Sequence, residues 1–368
     1  MYKIKISHDV SSDEWNDDLK KSNYATYLQT AEYLKFSSND TTIPIFISVL
    51  NDENETVGQL GMLIVKTTVQ YGSTKLRKIF KMISRISSRG IWMYGPIIHS
   101  KTKEENIEIL ETILRAKEEI IKKYNLVFVE GYTAPLNTSF LDDEKNVYEK
   151  SGYNIQNYIV FITDLQKPID DIWNNIQKYT KTNVKRAKKR GILLRELETK
   201  EDAKQIITLF QEWSRTKGLE VAEPEQQFEK FWQRHSSGFE KTFLAFKGEE
   251  LVASITLGQF NNNIVPLQVL NSYNVSTKNL GGPALTWKAI QWSKESGNLV
   301  YDITGGPVLP ENYSEQNNQV FELIHYKRKW GGEEYFHYKF LKINKKLSYI
   351  IYNKLFKILK WYYKIKSS

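Results

Sequence analysis

The sequence predicts a mixed α/β protein that contains two similar domains in tandem. Apolar or alternating segments typical of strands are interspersed with segments of helical periodicity along the whole chain. The length of 368 residues exceeds that of one typical domain. A third observation is an internal echo: Phe128–Asn137 and Tyr301–Pro310 each read as a strand, a turn and the start of a helix.

The echo continues beyond these two segments. The helix of the first half ends at Tyr148–Gly152 and that of the second half at Tyr326–Gly331, and a strand follows each. We therefore expect one domain at 1–165, a second at 166–342, and a basic amphipathic helix at 343–368. The alternative is a chance similarity between two ordinary α/β segments.

In the first half, helices are predicted from apolar residues at three- and four-residue spacing, and strands from short apolar or alternating runs bounded by Gly, Pro, Asn or Asp. In chain order these are a short N-terminal strand, a helix around Asp13–Ser22, a β-pair at 43–50 and 56–70, a helix at Lys75–Ser88, a strand at 91–98 broken by Gly95-Pro96, a helix at 103–123, a strand at 126–130, a helix up to about Lys150 and a strand at 155–163.

The same criteria give the elements of the second half. They are helices at 169–179 and 181–190, a strand at 192–196, helices at 200–216 and 224–235, strands at 242–247, 250–260 and 264–271, a helix at 283–296, a strand at 299–303, a loop at Thr304–Pro307, a helix that ends at Gly331, a strand at 334–341 and the tail helix at 344–365.

Composition excludes several kinds of site. The chain has no cysteine, so disulfides, thiolate nucleophiles and Cys-based zinc sites are excluded. Its five histidines never fall at a spacing such as His-x-x-x-His, so we expect no metal site. The sequence shows no apolar run long enough to cross a bilayer and no signal-peptide pattern at its start. We therefore expect a cytoplasmic location.

The positive charge is concentrated in a few segments. The formal net charge is +9, and 339–368 contains nine lysines and no acidic residue. Two other runs without acids are Lys75–Arg89 and Lys178–Arg190, the second with seven cations in thirteen residues. Such clustering favours an anionic partner, either nucleic acid or a membrane surface.

The most unusual local sequence is Phe321–Gly332. It begins as a helix face, continues as Lys327-Arg328-Lys329, and ends on Trp330-Gly331-Gly332. Three adjacent cations at a glycine turn favour a site for an anionic group. The alternative is a solvated basic helix end, in which the cations complement the helix C-terminus.

An ordered set of motifs resembles the FemABX family of double-GNAT aminoacyltransferases. Its pieces are Trp92-x-Tyr94-Gly95-Pro96, Tyr148-Glu149-Lys150-Ser151-Gly152-Tyr153, Val184-Lys185-Arg186-Ala187-Lys188, Trp287-x-Ala289-Ile290, Tyr301-Asp302-x-x-Gly305-Gly306 and Tyr326-Lys327-x-x-Trp330-Gly331-Gly332. The match extends from about Gln29 to Phe340. No long heptad segment is present, so the resemblance is to the armless, FemX-like members.

The resemblance implies transfer of an aminoacyl group from charged tRNA to an amine of a lipid- or nucleotide-linked peptidoglycan-type precursor, with no bound cofactor. Lys327 and Asp302 are the implied catalytic residues: Lys327 as a donor to the oxyanion or to the tRNA end, Asp302 as a proton acceptor or orienting group for the amine. For Asp302 the alternative is a capping acid in a tight turn. The implied substrate-binding residues are Tyr326, Arg328, Trp330, Gly305, Gly306, Trp92, Tyr94, Lys35 and Arg215. Trp92 and Tyr94 would line a cleft or, alternatively, lie in the core.

The chain departs from the family pattern in three places. Tyr326 precedes Lys327 where the family often has Phe. The family tends to have Gln-x-x-x-Trp-x-x-x-Lys near its N-terminus, whereas here Gln29-x-x-x-Tyr33 leads to Ser37, and the nearest cation is Lys35. Arg215, ahead of Gly218, is one residue out of register. These departures bear on the acceptor more than on the fold.

Two other functions are compatible with the sequence. A coenzyme-A-dependent N-acyltransferase would need a pyrophosphate loop, which would lie at Asn279–Ala284, but Asn279 replaces the usual first residue and Pro283 lacks an N–H. A non-catalytic RNA- or membrane-binding module is the third possibility.

Two basic helices are assigned to anionic partners. The cations of the first, expected on tRNA phosphates, are Lys181, Lys185, Arg186, Lys188 and Lys189. The tail helix pairs an apolar face with lysines, as in helices that lie in the interface of an anionic membrane, so peripheral membrane association is expected. The alternatives are a solvated helix face for the first helix and docking of the tail on the second domain.

Overall fold

The computed structural model describes residues 2–66, 87–100, 102–216, 223–272, 281–309 and 319–367, with backbone alone for 356 and 359–367. The chain forms two compact units. The first consists of Met1–Tyr158 and Phe336–Lys357, and the second of Ile159–Tyr335 and Ile358–Ser368. The first unit thus includes a late segment that the sequence analysis assigned to the second domain and the tail.

The first unit begins with strand β1 and helix α1 and is built on a mixed sheet. Its strands are β1 (Lys3–Ser7), β2 (Thr42–Leu50), β3 (Thr56–Val65), β4 (Arg89–Trp92), β5 (Ile97–Ile98) and β6 (Phe128–Tyr132). Its helices are α1 (Ser12–Lys20), α2 (Ala31–Phe36), α3 (Lys103–Lys123) and α4 (Leu141–Lys150), with a 3₁₀ turn at Tyr27–Gln29. Strands β7 (Asn154–Asp164) and β13 (Glu333–Ile343) each contribute residues to both units.

The sheet of this unit has the order β1-β2-β3-β4-β6-β13, and β5 pairs with β3. β4 and β6 are parallel over four residue pairs, Arg89↔Phe128 to Trp92↔Gly131. Helix α3 covers the sheet with a stripe of buried apolar residues that includes Ile109, Ile113 and Ile120. Its N-cap is Thr102, whose hydroxyl accepts from the Glu105 N–H, and its last turn carries Lys122 and Lys123.

The second unit has a sheet of the same kind. Its strands, besides β7, are β8 (Ile192–Glu196), β9 (Glu240–Lys247), β10 (Glu250–Phe260), β11 (Asn263–Asn271) and β12 (Val300–Pro307), in the order β7-β12-β11-β10-β9-β8. Its helices are α5 (Ile169–Asn175), α6 (Lys178–Lys189), α7 (Lys200–Thr216), α8 (Pro224–Ser236), α9 (Gly281–Glu295) and α10 (Gln319–Arg328). The ladders β8–β9, β9–β10 and β10–β11 are antiparallel, whereas β11 and β12 are parallel.

Each unit therefore contains one strand of the sequence echo in an equivalent place. β6 in the first unit and β12 in the second are each the later strand of a parallel pair, and each follows a helix, α3 or α9. This common order agrees with the predicted duplication. The predicted helix at Lys75–Ser88 lies outside the described residues except for Ser87 and Ser88.

The predicted loop at Thr304–Pro307 is wrong, because β12 continues to Pro307. A Cβ atom on Gly305 would lie 1.5 Å from the carbonyl oxygen of Ile159 in the neighbouring strand β7. A Cβ on Gly306 would instead meet the side chain of Ile324, at 3.0 Å. The two glycines thus allow β12 to pack closely against β7 and α10. The sequence had suggested instead that they form a turn or contact a ligand.

Helix α11 (Lys346–Ser367) follows β13. Its Tyr349 and Tyr352 rings contact Phe128 of β6, with centroid distances of 5.1 and 5.3 Å. In the described part of the chain, no helix has the length and apolar character that crossing a bilayer requires.

The two adjacent glycines provide a matched test of this packing. We expect Gly305→Ala to lower the free energy of unfolding by about 3 kcal/mol or more, because the new methyl group meets backbone that cannot rotate away. Gly306→Ala meets a flexible side chain and is expected to cost less than about 1.5 kcal/mol. Urea unfolding of both variants measures the difference, and equal losses would contradict the proposed close approach of β12 to β7.

Candidate functional site

The second unit has an opening between two strands of its sheet. The parallel ladder between β11 and β12 contains only Asn263↔Val300 and Ile264↔Tyr301. Beyond these pairs, residues of both strands line a pocket of about 370 Å³. Helices α9 and α10 complete its wall. The lining residues are Ile255, Pro266, Leu267, Gln268, Val269, Asn271, Thr286, Tyr301, Ile303, Thr304, Leu323, Tyr326, Lys327 and Trp330.

Lys327 is the charged residue of this lining. Its Nζ donates to the Thr304 hydroxyl and, at 3.1 Å, to the Gly305 carbonyl. Burial lowers the pKa of Lys327 to about 8, and the nearby Asp302 carboxylate opposes that shift. The amine therefore changes its charge close to physiological pH.

The backbone beside Lys327 is held in an uncommon conformation. Thr304 has φ of 64°, a value that a β-branched residue rarely adopts. The Thr304 N–H donates to Oδ1 of the buried Asp302 at 2.6 Å, and the Thr304 hydroxyl accepts from Lys327. This arrangement turns the hydroxyl of a strand residue toward the lysine in the pocket.

Asp302 does not line the pocket. Side chains alternate along a strand, so Tyr301 and Ile303 of β12 face the opening, and Thr304 joins them because its backbone is left-handed. Asp302 therefore acts on the site through Thr304 and through its charge near Lys327. The capping alternative describes this contact, and the predicted direct proton transfer does not fit this position.

Two deeply buried aromatic residues, Tyr301 and Trp330, line the pocket. The Tyr301 hydroxyl has no hydrogen-bond partner among the described residues. The Trp330 side chain interacts with the Tyr326 hydroxyl. A buried polar group without a partner is costly, so the Tyr301 hydroxyl is suited to a hydrogen bond with a bound molecule.

Tyr326 forms part of the same wall. Its ring meets that of Trp330 edge to face, with centroids 6.3 Å apart. Burial raises the pKa of the Tyr326 hydroxyl, while interactions with Trp330 and Thr286 oppose the rise. The ring itself is partly exposed, which places it at the rim of the opening.

The predicted site residue Arg328 is engaged elsewhere. Its Nε donates to Glu334 at 2.6 Å, and its guanidinium lies 5.6 Å from the centre of the Phe161 ring. Because its carboxylate partner is close, this side chain is not directed at the pocket. The three-cation motif thus separates into one pocket residue, Lys327, and neighbours with other contacts.

Trp92 and Tyr94 lie in the core of the first unit. The Trp92 N–H donates to the Gly95 carbonyl at 3.1 Å, and a Cβ on Gly131 would lie 2.0 Å from the Trp92 ring. The Nζ of the buried Lys117 lies 3.4 Å from the centre of that ring. Both predicted rings are therefore packing residues, as the core alternative has it, and do not form the wall of an open cleft.

Lys117 sits in a cage of aromatic rings. Besides Trp92, the rings of Tyr148 and Tyr153 lie 4.8 and 4.7 Å from its Nζ. Burial lowers the pKa of Lys117 well below its usual value, and the buried Glu144 carboxylate opposes the shift. Whereas the corresponding strands of the second unit open, the space beside β4 and β6 is filled by these side chains.

Two further predicted residues lie away from the pocket. Lys35 forms an ion pair with Asp9 at 2.7 Å and donates to the Val10 carbonyl at 2.8 Å, so it fixes the segment before α1. Arg215 is exposed in the last turn of α7, and Gly218 lies outside the described residues. Neither contributes to the lining described above.

The basic helix α6 has one packed and one exposed side. Thr180 and Ala187 are buried, and Lys185, Arg186, Lys188 and Lys189 are exposed. Lys181 is half-buried, and its Nζ donates to the Asn174 carbonyl at 3.2 Å. Four of the five predicted RNA-binding cations therefore lie on an accessible face, and the fifth supports the preceding turn.

The start of α9 is packed tightly. A Cβ on Gly281 would lie 2.6 Å from that of Ala253, and one on Gly282 would lie 2.5 Å from Oδ1 of Asn271. These glycines of the candidate pyrophosphate loop therefore contact the sheet, and Asn279 and Leu280 lie outside the described residues.

Sequence reasoning missed Thr304, Tyr301, Thr286 and Asn271 as pocket residues. The period of two along β12 could have placed Tyr301 beside Ile303, once Thr304–Pro307 was recognised as strand. Nothing in the sequence indicates the positive φ of Thr304, because threonine is an unusual residue for that conformation.

No protein-family model matches the sequence, and no curated protein sequence is a significant match. The structure is similar to the crystal structure of FemX, with a TM-score of 0.66 and 14% identity over 94% of this chain and 99% of that one.

Two other solved structures are similar over most of their length. L-PGS from Bacillus licheniformis gives a TM-score of 0.54 at 14% identity, covering 95% of this chain and 96% of that one. A tandem GNAT protein from the clavulanic acid biosynthesis pathway gives 0.54 at 11% identity, covering 92% and 98%. The chain therefore has the double GNAT fold that its sequence motifs predicted.

The lowered pKa of Lys327 leads us to predict how the free energy of unfolding depends on pH. Between about pH 8 and 10.5 the folded protein releases a proton that the unfolded chain keeps, so the free energy of unfolding should rise with pH. In Lys327→Met this contribution is lost, and the stability of wild type relative to the variant should increase across that range. Urea unfolding at several pH values measures it. Lys329→Met, which changes a neighbouring lysine, is the control, and parallel pH profiles for wild type and Lys327→Met would rule out a buried, titrating amine.

Proposed function

We propose that the protein is an aminoacyltransferase that moves an aminoacyl group from charged tRNA to an amine of a cell-envelope precursor. The observation that carries the proposal is the position of Lys327 in the opening between β11 and β12, in the same pocket as the buried Tyr301 hydroxyl, which has no partner among the described residues. The similarity to FemX over nearly the whole chain is in accord with this activity.

The reaction needs little beyond alignment and stabilisation of charge. The amine nitrogen attacks the ester carbonyl, the C–N bond forms, the bond to the ribose oxygen breaks, and the amine proton passes to the leaving hydroxyl. The ester is already activated, so fixed alignment can lower the barrier by roughly 7–11 kcal/mol. A donor aimed at the tetrahedral oxyanion adds about 2.7–4 kcal/mol.

Lys327 is suited to be that donor. A protonated lysine has three N–H groups, and the described contacts with Thr304 and Gly305 use two of them. The third is available for a substrate oxygen. Because the pKa of Lys327 is about 8, the amine remains mostly protonated at pH 7.

The proposed donor, charged tRNA, is a polyanion, and the second unit has an exposed cationic face that could bind it. Lys185, Arg186, Lys188 and Lys189 form an exposed cationic face on α6, and α6 contributes Ala187 to the same core cluster as Trp330 of the pocket. Phosphate contacts of this kind depend on charge and not on base sequence. The face is thus suited to hold the acceptor arm of a tRNA.

A coenzyme-A-dependent N-acyltransferase is the competing proposal, since a tandem GNAT protein is among the similar structures. The discriminating assay offers purified protein an amine acceptor with either charged tRNA or acetyl-coenzyme A. Transfer from charged tRNA supports our proposal. Transfer from acetyl-coenzyme A alone would establish the competitor.

Substitution of Lys327 tests the mechanism. We expect Lys327→Met to lower kcat by about 10²–10³-fold, because one oxyanion donor is lost. In wild type, the rate should also fall as pH rises above about 8, since the ammonium loses its proton. In Lys327→Arg, which stays charged, that fall should disappear even if the absolute rate is low.

The control is Lys329→Met, one residue beyond the end of α10, which should leave kcat nearly unchanged. If wild type and Lys327→Arg showed the same descending limb above pH 8, the titrating group would be another residue and the assigned role of Lys327 would be wrong.

The cationic face of α6 gives a second test. We expect the double variant Lys185→Gln/Lys188→Gln to weaken tRNA binding and to reduce the magnitude of the slope of log K against log salt by about 1–2. The slope falls because a variant with fewer phosphate contacts displaces fewer counterions from the RNA when it binds. Filter binding at several salt concentrations measures both quantities.

The matched control for this variant is Lys122→Gln/Lys123→Gln, which removes two exposed lysines from the last turn of α3. It should leave the salt slope unchanged. Equal effects of the two double variants would indicate general electrostatic attraction and would reject a tRNA-binding face on α6.

A further inference from the structure

Helix α11 has a face that contacts the first unit and a second face that does not. On the first, Tyr349 and Tyr352 pack on Phe128, and the guanidinium of Arg89 donates to the Tyr352 hydroxyl. Ser348 and Asn353 are half-buried on the same side. These contacts fix the rotation of this part of the helix about its axis, and with it the direction of the other described side chains.

Among the α11 residues whose side chains are described, 346–355, 357 and 358, the exposed ones fall on one continuous arc. At about 100° per residue they span roughly 140° of the helix circumference. They are Lys346, Leu347, Ile350, Ile351, Lys354, Lys357 and Ile358. We call this arc the outer face of α11.

The outer face combines exposed apolar residues with lysines. The exposed fractions are 72% for Leu347, 49% for Ile350, 37% for Ile351 and 58% for Ile358. Single exposed leucines or isoleucines are common on soluble proteins, but four on one arc form a patch that is typical of an interaction site. No acidic residue occurs between 339 and 368, so no carboxylate of this segment offsets the lysines.

The composition of the outer face distinguishes between partners. A nucleic acid would engage the lysines and leave the apolar side chains in water. A second copy of the same face would bring like charges together. The interface of an anionic bilayer accepts both classes, because apolar side chains enter the boundary of the acyl chains while lysines reach the lipid phosphates.

We propose that the outer face of α11 binds the surface of membranes that contain anionic lipid. The helix lies in the plane of that surface and keeps its Tyr349–Tyr352 side on the first unit. The inference stands independently of the transferase activity, because its test measures association with lipid alone.

The test is flotation of the full-length protein with vesicles of phosphatidylcholine, with and without about one third phosphatidylglycerol. We expect binding to the mixed vesicles that decreases with salt and is weak with phosphatidylcholine alone. Ile350→Ser/Ile351→Ser should reduce the partition coefficient more than tenfold. Lys354→Gln/Lys357→Gln should reduce it roughly 30-fold, about fivefold per lysine.

Matched controls separate this face from other exposed groups. Leu193→Ser removes a leucine of β8 that is 63% exposed, more than either isoleucine of the test variant, and Lys185→Gln/Lys188→Gln removes two lysines from α6. Both should bind vesicles as wild type does, and circular dichroism melts confirm that each variant is folded.

Two results would overturn the proposal. One is vesicle binding by folded Ile350→Ser/Ile351→Ser at the level of wild type. The other is a wild-type dimer in solution that this variant converts to a monomer without any lipid binding by wild type, which would make the outer face a self-association surface.

Discussion

The functional geometry of the second unit depends on the early end of one parallel ladder. β11 and β12 exchange hydrogen bonds over two residue pairs and then part. Parting exposes backbone and side chains of both strands to a common space, which α9 and α10 enclose. Lys327 can face a cavity only because the strands part here; if the ladder continued, no cavity would lie next to its amine.

A short chain of contacts around Thr304 lies at the edge of the opening. Asp302 accepts the Thr304 N–H, the left-handed backbone of Thr304 redirects its hydroxyl, and that hydroxyl accepts from Lys327. Each link has a local cost: a strained dihedral, a buried carboxylate and a desolvated amine. Costs that persist together at one corner of a pocket are typical of a site kept for binding or chemistry.

The sequence predicted the architecture well because periodicity and duplication are properties of the chain itself. Helix α3 at Lys103–Lys123 and strand β8 at Ile192–Glu196 have the predicted bounds, and Lys327, which its motif singled out, lines the pocket. The errors arose where residue type was ambiguous. Gly305 and Gly306 suggested a turn but permit close packing, Trp92 suggested a cleft but fills a core, and the neighbours of Lys327 on β12 depend on a dihedral that no pattern encodes.

Because the cage around Lys117 is filled with side chains, we expect substitutions at equivalent places in the two units to have different effects. In the first unit, the place beside the parallel strands is occupied by Trp92 and by an amine enclosed in aromatic rings. Substitutions there change the packing of a core, whereas substitutions at the corresponding place in the second unit change the lining of a pocket. The first unit therefore serves as an internal reference for the second, because the same arrangement of strands surrounds packed side chains in one and a pocket in the other.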